Sequence, residues 1–386
     1  MKKRFVFTAL ALAVSLVFSG CGSDNTGIDV EISEIAPIDK NDTSQDIEVN
    51  VPETVEDSDL PPEEGMVRSR LTNEWVSEDL NNTRPVAIMI PNSNTAYHYG
   101  LSDADILYEC NVEGSMTRLM AIFQNWKAHD KLGNIRSCRD YYVYWAFEWD
   151  AIYIHYGGPF YIEEVIGRDD TQNINCINLD SATFRDTAKN STDNAFTSAD
   201  RIEKAMEHYG YSTEYRANYA DEEHFKFAPF NNPNTLDQYP KAMVANRIDM
   251  SKTYPVTNCY LIYNSETGLY ERFQKVSGAS DGPHIDMENN QQLAFKNVIV
   301  QNTYHEVRDQ KGYLAFQVHD TTRDGWYFTN GKGIHVNWKK ETDYGATRYY
   351  DDDGNEISLN TGKTMIFIVE SGDSFDVDDQ TLTSEK

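Results

Sequence analysis

RPVAIMI (84–90), DILYECNV (105–112), TRLMAIFQNW (117–126), DYYVYWAFEW (140–149) and AIYIHY (151–156) are the runs of sequence that decide the fold. Four of them are apolar runs typical of strands, whereas DYYVYWAFEW is interpreted as a helix. A further helix is predicted at SADRIEKAMEHYG (198–210), with Thr197 or Ser198 as N-cap and Gly210 at its end. Strands that alternate with helices indicate a layered α/β domain, which we place over residues 67–245.

Beyond residue 245 the pattern changes to β runs separated by turns. They include TNCYLIYN (257–264), LYERFQKV (269–276), LAFKNVIVQN (293–302), GIHVNWKK (333–340) and TMIFIVE (364–370). Glycines and acidic residues in RDG, TNGKG and DDDGNE favour tight turns between them. The expected fold is therefore α+β or α/β, with the N-terminal layered α/β domain followed by a smaller, mostly antiparallel β domain over 246–370. Residues 371–386 are polar and acidic, and we expect a disordered tail there.

The N-terminus has the order of a bacterial lipoprotein signal. A basic start (Lys2 to Arg4) precedes an apolar run from Phe5 to Phe18, and the small residues Ser19 and Gly20 stand directly before Cys21. The apolar run is shorter than the roughly 20 residues that a spanning helix needs. We predict a signal peptide over 1–20, a lipid on Cys21, and a location on the extracytoplasmic side of the cell membrane.

Acidic residues dominate the segment that follows. Between Gly22 and Gly65 there are fourteen Asp or Glu, one Lys and no aromatic residue, so residues 21–66 are predicted to be a lipidated cysteine and a disordered linker. The chain has net charge −28, and −18 remains without the signal (+3) and the linker (−13). Nucleic acid is excluded as a partner, because phosphate binding needs a basic face.

The sequence resembles a known family, the YerB-like lipoproteins of bacteria. Besides the runs quoted above, the resemblance rests on GLSDADILYE (100–109), VEGSMTRLMAIF (112–123), IRSCRD (135–140), DAIYIHYGG (150–158), FRD (184–186), GPHID (282–286), KNVIVQ (296–301) and TRYYDDDGNEI (347–357). It extends from about Arg70 to Val369. It implies an N-terminal α/β domain and a smaller C-terminal β domain, and no established reaction.

Two departures from the family pattern concern candidate chemistry. IPN (90–92) stands where the family commonly has IDN, which weakens a role for a carboxylate after that strand. RSCR (136–139) stands where RSAR is common, which makes Cys138 replaceable. Arg136 and Arg139 would lower the pKa of that thiol, but a nucleophile there is not expected.

Four arginines lie beside predicted strand ends in this acidic chain: Arg118, Arg136, Arg139 and Arg185. Guanidinium groups that converge on a cleft bind carboxylate or phosphate through paired hydrogen bonds. The helix predicted from Asp140 would add free N–H groups. The alternative is that these arginines pair with acidic neighbours and only hold loops in place.

The candidate acid and base groups are Glu109, Glu113 and His155. Glu109 and Glu113 flank Asn111 near a strand end, where alternation would place them on one face and separate their pKa values. A salt-bridge lattice with Arg118 is the competing interpretation. His155 precedes Gly157 at a strand end, where α/β sheets often bind ligands, but a single histidine at such a place is more often structural.

His284 and Asp286 in GPHID would reach back towards the first domain. No second histidine has ligand spacing, so no metal site is predicted, and no cofactor motif is present. Asp351, Asp353 and Asn355 resemble a calcium loop, but Gly354 is misplaced and a hairpin turn is preferred. The disulfide state of Cys110, Cys138, Cys176 and Cys259 is left open.

Two functions follow. The first is a surface lipoprotein without enzymatic activity that binds an anionic envelope ligand or a membrane protein through the arginines. The alternative is an envelope hydrolase or transferase, with Glu109, Glu113 and His155 as acid or base groups and the arginines holding substrate.

Overall fold

The structure is a computed structural model that describes residues 60–188, 192–217, 219 and 223–386. The predicted signal peptide, the lipidation site Cys21 and nearly all of the predicted linker lie outside these residues. No helix within the described ranges is long and apolar enough to cross a membrane.

The described chain consists mainly of strands. The strands before residue 245 are β1 Met66–Arg68, β2 Trp75–Ser77, β3 Val86–Pro91, β4 Ile106–Asn111, β5 Thr117–Phe123, β6 Leu132–Gly133, β7 Ile152–His155, β8 Asn173–Asn175, β9 Phe184–Arg185, β10 Ala195–Thr197 and β11 Met243–Val244. The later strands are β12 Arg247–Asp249, β13 Cys259–Asn264, β14 Leu269–Gln274, β15 Gly282–Pro283, β16 Ala294–Phe295, β17 Asn297–Thr303, β18 His305–Val307, β19 Leu314–Phe316, β20 Asp320–Thr329, β21 Lys332–Lys340, β22 Arg348–Tyr350, β23 Thr364–Glu370, β24 Ser374–Val377 and β25 Gln380–Thr383. The helices are α1 Glu78–Asn82, α2 Asp140–Phe147, α3 Glu163–Ile166 and α4 Ala199–Tyr209, with 3-10 turns at Leu101–Asp103, Glu113–Ser115, Trp126–Ala128, Phe160–Ile162 and Asp180–Ala182.

An eleven-stranded sheet forms the centre of the described chain. Its order is β11-β21-β20-β17-β23-β4-β5-β3-β7-β8, with β22 also paired to β21. β4 pairs in parallel with β23, so strands from both sides of residue 245 share this sheet. The predicted boundary at 245/246 therefore does not separate two sheets. The fold is mixed α+β and mostly sheet, which agrees with the first of the two expected fold classes, whereas the layered α/β arrangement expected for residues 67–245 is not clearly present.

The reason for the shared sheet lies in β17 and β23. Every residue of β17 is buried, as are all those of β23 except Glu370. Strands buried on both faces must lie in the interior of a covered sheet. These runs therefore lie at the centre of the large sheet.

Alternation along the central strands divides the interior into two cores. On β3, Val86, Ile88 and Ile90 enter one core, whereas Ala87 and Met89 enter the other. The first core lies between the large sheet, α4 and a second sheet, and the second core lies under α2. Successive side chains of a strand point to opposite faces, so each apolar run contributes to both cores.

The second sheet has seven strands in the order β15-β14-β13-β12-β24-β25, with β16 also paired to β14. All its pairings are antiparallel, as predicted for this part of the sequence. The expected disordered tail over 371–386 is wrong, because β24 and β25 belong to this sheet. Phe375 and Val377 are fully buried in alternation, a pattern that the acidic composition of the segment conceals.

Both predicted helices are present. α2 covers most of DYYVYWAFEW, and its aromatic residues pack in the second core. α4 begins after Ser198 and ends at Gly210, whose φ of 70° is a left-handed conformation that suits glycine. Its residues Ile202, Ala205 and Met206 are buried against the first core.

Candidate functional site

The segment from Arg136 to Arg139 lies between the carboxyl ends of two parallel strands. Arg136 donates its N–H to the Met89 carbonyl on the β3 side (2.8 Å), and its own carbonyl accepts from Tyr156 N–H beyond β7 (2.9 Å). β3 and β7 are paired only over 86–88 and 152–154, so the segment fills the space where they separate. Arg136 and Arg139 are thus at the carboxyl ends of parallel strands, where ligands bind in α/β proteins.

Arg139 forms a buried ion pair with Glu113. Its Nε lies 3.0 Å from Glu113 Oε2, its Nη2 bonds Oε1, and its Nη1 donates to the Cys138 carbonyl (2.7 Å). Burial alone would raise the pKa of Glu113, but the hydrogen bonds and charge of Arg139 outweigh it and lower that pKa. This guanidinium is already engaged by a carboxylate.

Arg118 also has a structural contact. The side chain is buried, and Nη1 donates to the Ser137 carbonyl (2.7 Å), which ties β5 to the arginine segment. Burial lowers the pKa of Arg118, and the nearby charge of Arg139 lowers it further. The salt-bridge lattice of Arg118 with Glu109 and Glu113, which was the competing interpretation, is not formed, since Glu113 pairs with Arg139 and Glu109 pairs with Arg272.

Arg136 and Arg185 are the two predicted arginines that reach the surface. Arg136 is 40% exposed, with Nε 3.0 Å from Asp193 Oδ1. Arg185 is exposed and donates to Asn194 Oδ1 (2.7 Å) and to the Tyr156 hydroxyl (2.9 Å), with its guanidinium carbon 5.0 Å from the Tyr156 ring centre. We call Arg136, Tyr156 and Arg185 the arginine surface.

Glu109 is fully buried within a polar cluster at the end of β4. Its Oε2 lies 2.7 Å from Arg272 Nη2, and its Oε1 accepts from Asn92 Nδ2 (2.9 Å) and the Thr117 hydroxyl (2.6 Å). Glu113 lies beyond the end of β4, in a 3-10 turn. The two carboxylates have separate partners, so the structure does not form the acid and base pair expected from alternation.

The cluster continues from Arg272 to two histidines. Arg272 Nη1 contacts His284 Nδ1, and His284 Nε2 lies 2.6 Å from His98 Nδ1, whose other ring nitrogen bonds the Pro91 carbonyl (2.8 Å). Burial lowers the pKa of His98 to about 4, and burial with the charge of Arg272 lowers that of His284 well below its usual value. We call Glu109, Arg272, His284 and His98 the buried polar network.

Sequence reasoning missed Arg272 and His98. Arg272 is two residues from Tyr270, and both side chains are fully buried, so β14 alternation places them on the same inward face. That alternation was a usable signal. His98 lies outside any predicted element and offered no such signal.

His155 and Asp286 have structural contacts as well. His155 is fully buried, with Nδ1 2.9 Å from the Gly157 carbonyl and Nε2 3.2 Å from Asn173 Oδ1; burial lowers its pKa. Asp286 accepts from Gly100 N–H (3.1 Å) and Ser102 N–H (2.7 Å), so GPHID does contact the first half of the chain.

The four described cysteines are free and buried. The expectation that neighbouring arginines lower the pKa of Cys138 is wrong, because burial raises it to about 12. Asp351 accepts from Asp353 N–H (3.0 Å) and Asn355 N–H (2.8 Å), which are contacts of a turn.

Within the described ranges, Asp103, His129 and Glu288 are the residues whose spacing would suit a metal ion. His129 Nδ1 lies 3.2 Å from Glu288 Oε2, and Lys363 Nζ lies 4.0 Å from Asp103 Oδ1. A hydrogen bond between His129 and Glu288 and the nearby charge of Lys363 therefore account for this group.

Comparison with known proteins is consistent with this architecture. Residues 71–212 match the model described as "Protein of unknown function (DUF3048) N-terminal domain", and residues 248–366 match the corresponding C-terminal domain. The Bacillus subtilis (strain 168) protein named "Putative lipoprotein YerB" is 26% identical over 314 residues, which cover 80% of this chain and 88% of that protein. The crystal structure of the YerB protein from Bacillus subtilis shares the fold, with a TM-score of 0.66 and 24% identity over 78% of this chain and 96% of that chain.

Proposed function

The chain belongs to the DUF3048 family of YerB-like lipoproteins, and on that basis we propose that it is a lipoprotein anchored through Cys21, whose folded body binds an anionic envelope ligand at the arginine surface. The lipoprotein signal before Cys21 and the name of the Bacillus subtilis relative support the anchor. Location on the extracytoplasmic side follows from the same signal.

The observation that carries the binding proposal is the contact set of Arg185. Its guanidinium bonds two neutral groups, Asn194 Oδ1 and the Tyr156 hydroxyl, and no carboxylate of the described residues lies in salt-bridge range. An exposed arginine with spare donors beside an aromatic ring is well suited to a planar carboxylate or a phosphate. The backbone of Arg136 is hydrogen-bonded to that of the same tyrosine, and its side chain can supply a second cation, although Asp193 now engages it.

The environment of the candidate acid and base groups supports binding over catalysis. Glu109 and His155 are fully buried with their hydrogen bonds made, and Glu113 is paired with Arg139. A general acid or base must come within hydrogen-bond reach of substrate. No observation in the described residues favours the hydrolase or transferase alternative.

Thermal unfolding of the full-length chain in detergent, with and without inorganic polyphosphate or soluble cell-wall fragments, tests the proposal. A ligand at about 100 times its Kd stabilises a protein by roughly 2.7 kcal/mol, which raises Tm measurably. We expect this shift in the wild type and its loss in Arg185→Ala and Arg136→Ala.

Arg247→Ala is the matched control, because it removes a similarly exposed arginine from the second sheet. It should keep the full shift. Equal shifts in all variants, or no shift in the wild type with any of these anions, would rule out the arginine surface as the site.

A further inference from the structure

One edge of the large sheet is interrupted. β21 is paired with β20 on one side, and on its other side β11 reaches it only at residues 332–333 and β22 only at residues 337–339. Within the described residues no strand lies beside Ile334, His335 and Val336 on that side. Each strand residue rises about 3.3 Å, so the gap beside these three residues is long enough for a short extended segment.

The turn before β21 shows which backbone groups face this gap. Asn330 and Gly331 both have positive φ (51° and 73°) and form a two-residue turn, so Thr329 and Lys332 are its closing hydrogen-bonded pair. Backbone N–H and C=O groups alternate sides along an antiparallel strand. Those of Lys332 point to β20, and those of His335 therefore point outward into the gap, where no described residue hydrogen-bonds them.

A cavity of about 420 Å³ lies at the same place. Its walls are mainly apolar and include Tyr239, Met243 and Ile334. This volume is in the range of pockets that hold small ligands or single side chains of a partner. The exposed backbone groups and the apolar cavity are thus adjacent.

The rim of the cavity is acidic. Asp352 contacts His335 Nδ1 (2.6 Å) and lies 3.7 Å from Lys241 Nζ. The Asp353 side chain is exposed, and no described residue forms an ion pair with it. The rim therefore retains negative charge that a cationic partner can complement.

We propose that this interrupted edge binds an extended peptide segment of a partner protein in which basic residues stand two positions before and two positions after an aliphatic residue, so that all three side chains lie on one face. The segment pairs with the N–H and C=O of His335, as in strand addition to a sheet edge. Its aliphatic side chain enters the cavity beside Met243, and its basic side chains lie against Asp352 and Asp353. This site is distinct from the arginine surface and selects the opposite charge.

A fluorescein-labelled pentapeptide amide of sequence Lys-Thr-Val-Thr-Lys, titrated by anisotropy against the full-length chain in detergent, tests this proposal. We expect saturable binding at low salt. The Asp353→Lys variant should bind roughly tenfold more weakly, because like charges then face each other. Glu266→Lys, which reverses an exposed charge in the turn between β13 and β14, should bind like the wild type.

Two altered peptides separate backbone pairing from simple charge attraction. Replacement of both lysines by aspartate should abolish binding, and N-methylation of the valine, which removes its N–H donor, should weaken it at least tenfold. The proposal is overturned by absence of saturable binding, by equal affinity of wild type and Asp353→Lys, or by full binding of the N-methylated peptide.

Discussion

At the scale of single residues, several buried charges of the described chain form ion pairs with each other. Glu109 with Arg272 and Arg84 with Asp150 are fully buried pairs that link distant parts of the sequence. A buried charge is tolerated only with a partner and hydrogen bonds, because desolvation is costly. These pairs therefore link distant segments in the interior, and their charged groups are not accessible from the surface.

Arg272→Met tests the role of the buried polar network. It leaves the Glu109 carboxylate buried without its cation, and we expect the free energy of unfolding to fall by about 3–5 kcal/mol in urea titrations. Glu109→Gln combined with Arg272→Met should recover much of this loss.

Arg247→Met removes the half-exposed pair with Asp249 and should cost at most about 1 kcal/mol. If Arg272→Met were as mild as this control, Glu109 would not depend on Arg272, and the network would have no structural role.

At the scale of elements, the C-terminal hairpin shows how composition can mislead. Residues 371–386 are rich in acidic side chains, yet β24 pairs with β12 and β25 completes the hairpin. Polar residues occupy the outward positions, and Phe375 and Val377 occupy the inward ones. Two inward apolar residues are sufficient to place the segment against an existing core.

Phe375→Ala distinguishes this strand from a frayed tail. Phe375 is fully buried beside Trp326 and Phe328, so its truncation should lower the free energy of unfolding by about 3–5 kcal/mol. Asp379→Ala, in the exposed turn of the same hairpin, should change it by no more than about 0.5 kcal/mol. Equal, small effects would mean that the segment is not packed in solution.

At the scale of the whole molecule, the buried polar network lies where the large sheet meets the second sheet. Glu109 is on β4 of the large sheet, and Arg272 is on β14 of the second. His98 precedes the turn that Asp286 holds through Gly100 N–H. Protonation in this network therefore affects the association of both sheets.

We expect acid to destabilise the protein from near pH 6.5 downward. The pKa of His98 is lowered to about 4 in the folded chain, so between pH 6.5 and 4 the unfolded chain binds the extra proton and the free energy of unfolding falls with pH. Below pH 4 this contribution is already lost. The pKa of Glu148 is lowered to about 2 despite its burial, because Lys340 and His224 adjoin it. Its protonation therefore lowers the free energy of unfolding further as the pH falls from 4.5 towards 2.

Asp105 acts in the opposite direction. Burial raises its pKa to about 6, so it favours the folded state as the pH falls from 6 towards 3.8. Urea unfolding of the wild type and of His98→Asn at pH 6.5 and at pH 5 isolates the contribution of His98. We expect His98 to account for about 2 kcal/mol of the decrease in the free energy of unfolding between these two pH values. The exposed His208→Asn should retain the wild-type loss. An identical loss in His98→Asn would disprove this role.

Much of the fold was predictable because its signals are local. Short apolar runs identified the long strands, the Ser198 and Gly210 signals identified α4, and the quoted motifs identified the family. The lipoprotein signal before Cys21 is likewise a property of consecutive residues. None of these signals depends on which distant segment of the chain packs against the residues that carry it.

Only the tertiary structure decided which groups meet. Arg139 pairs with Glu113, Glu109 with Arg272, and β23 with β4. These partners are far apart in the sequence, so no local pattern of residues specifies that they pair. Two arginines of the expected site are buried as ties, whereas Arg136 and Arg185 remain at the surface. The physical reason is that the spacing of apolar residues along the sequence specifies which face of an element is apolar. The partner of a buried charge, in contrast, is fixed by long-range packing and by the cost of desolvation.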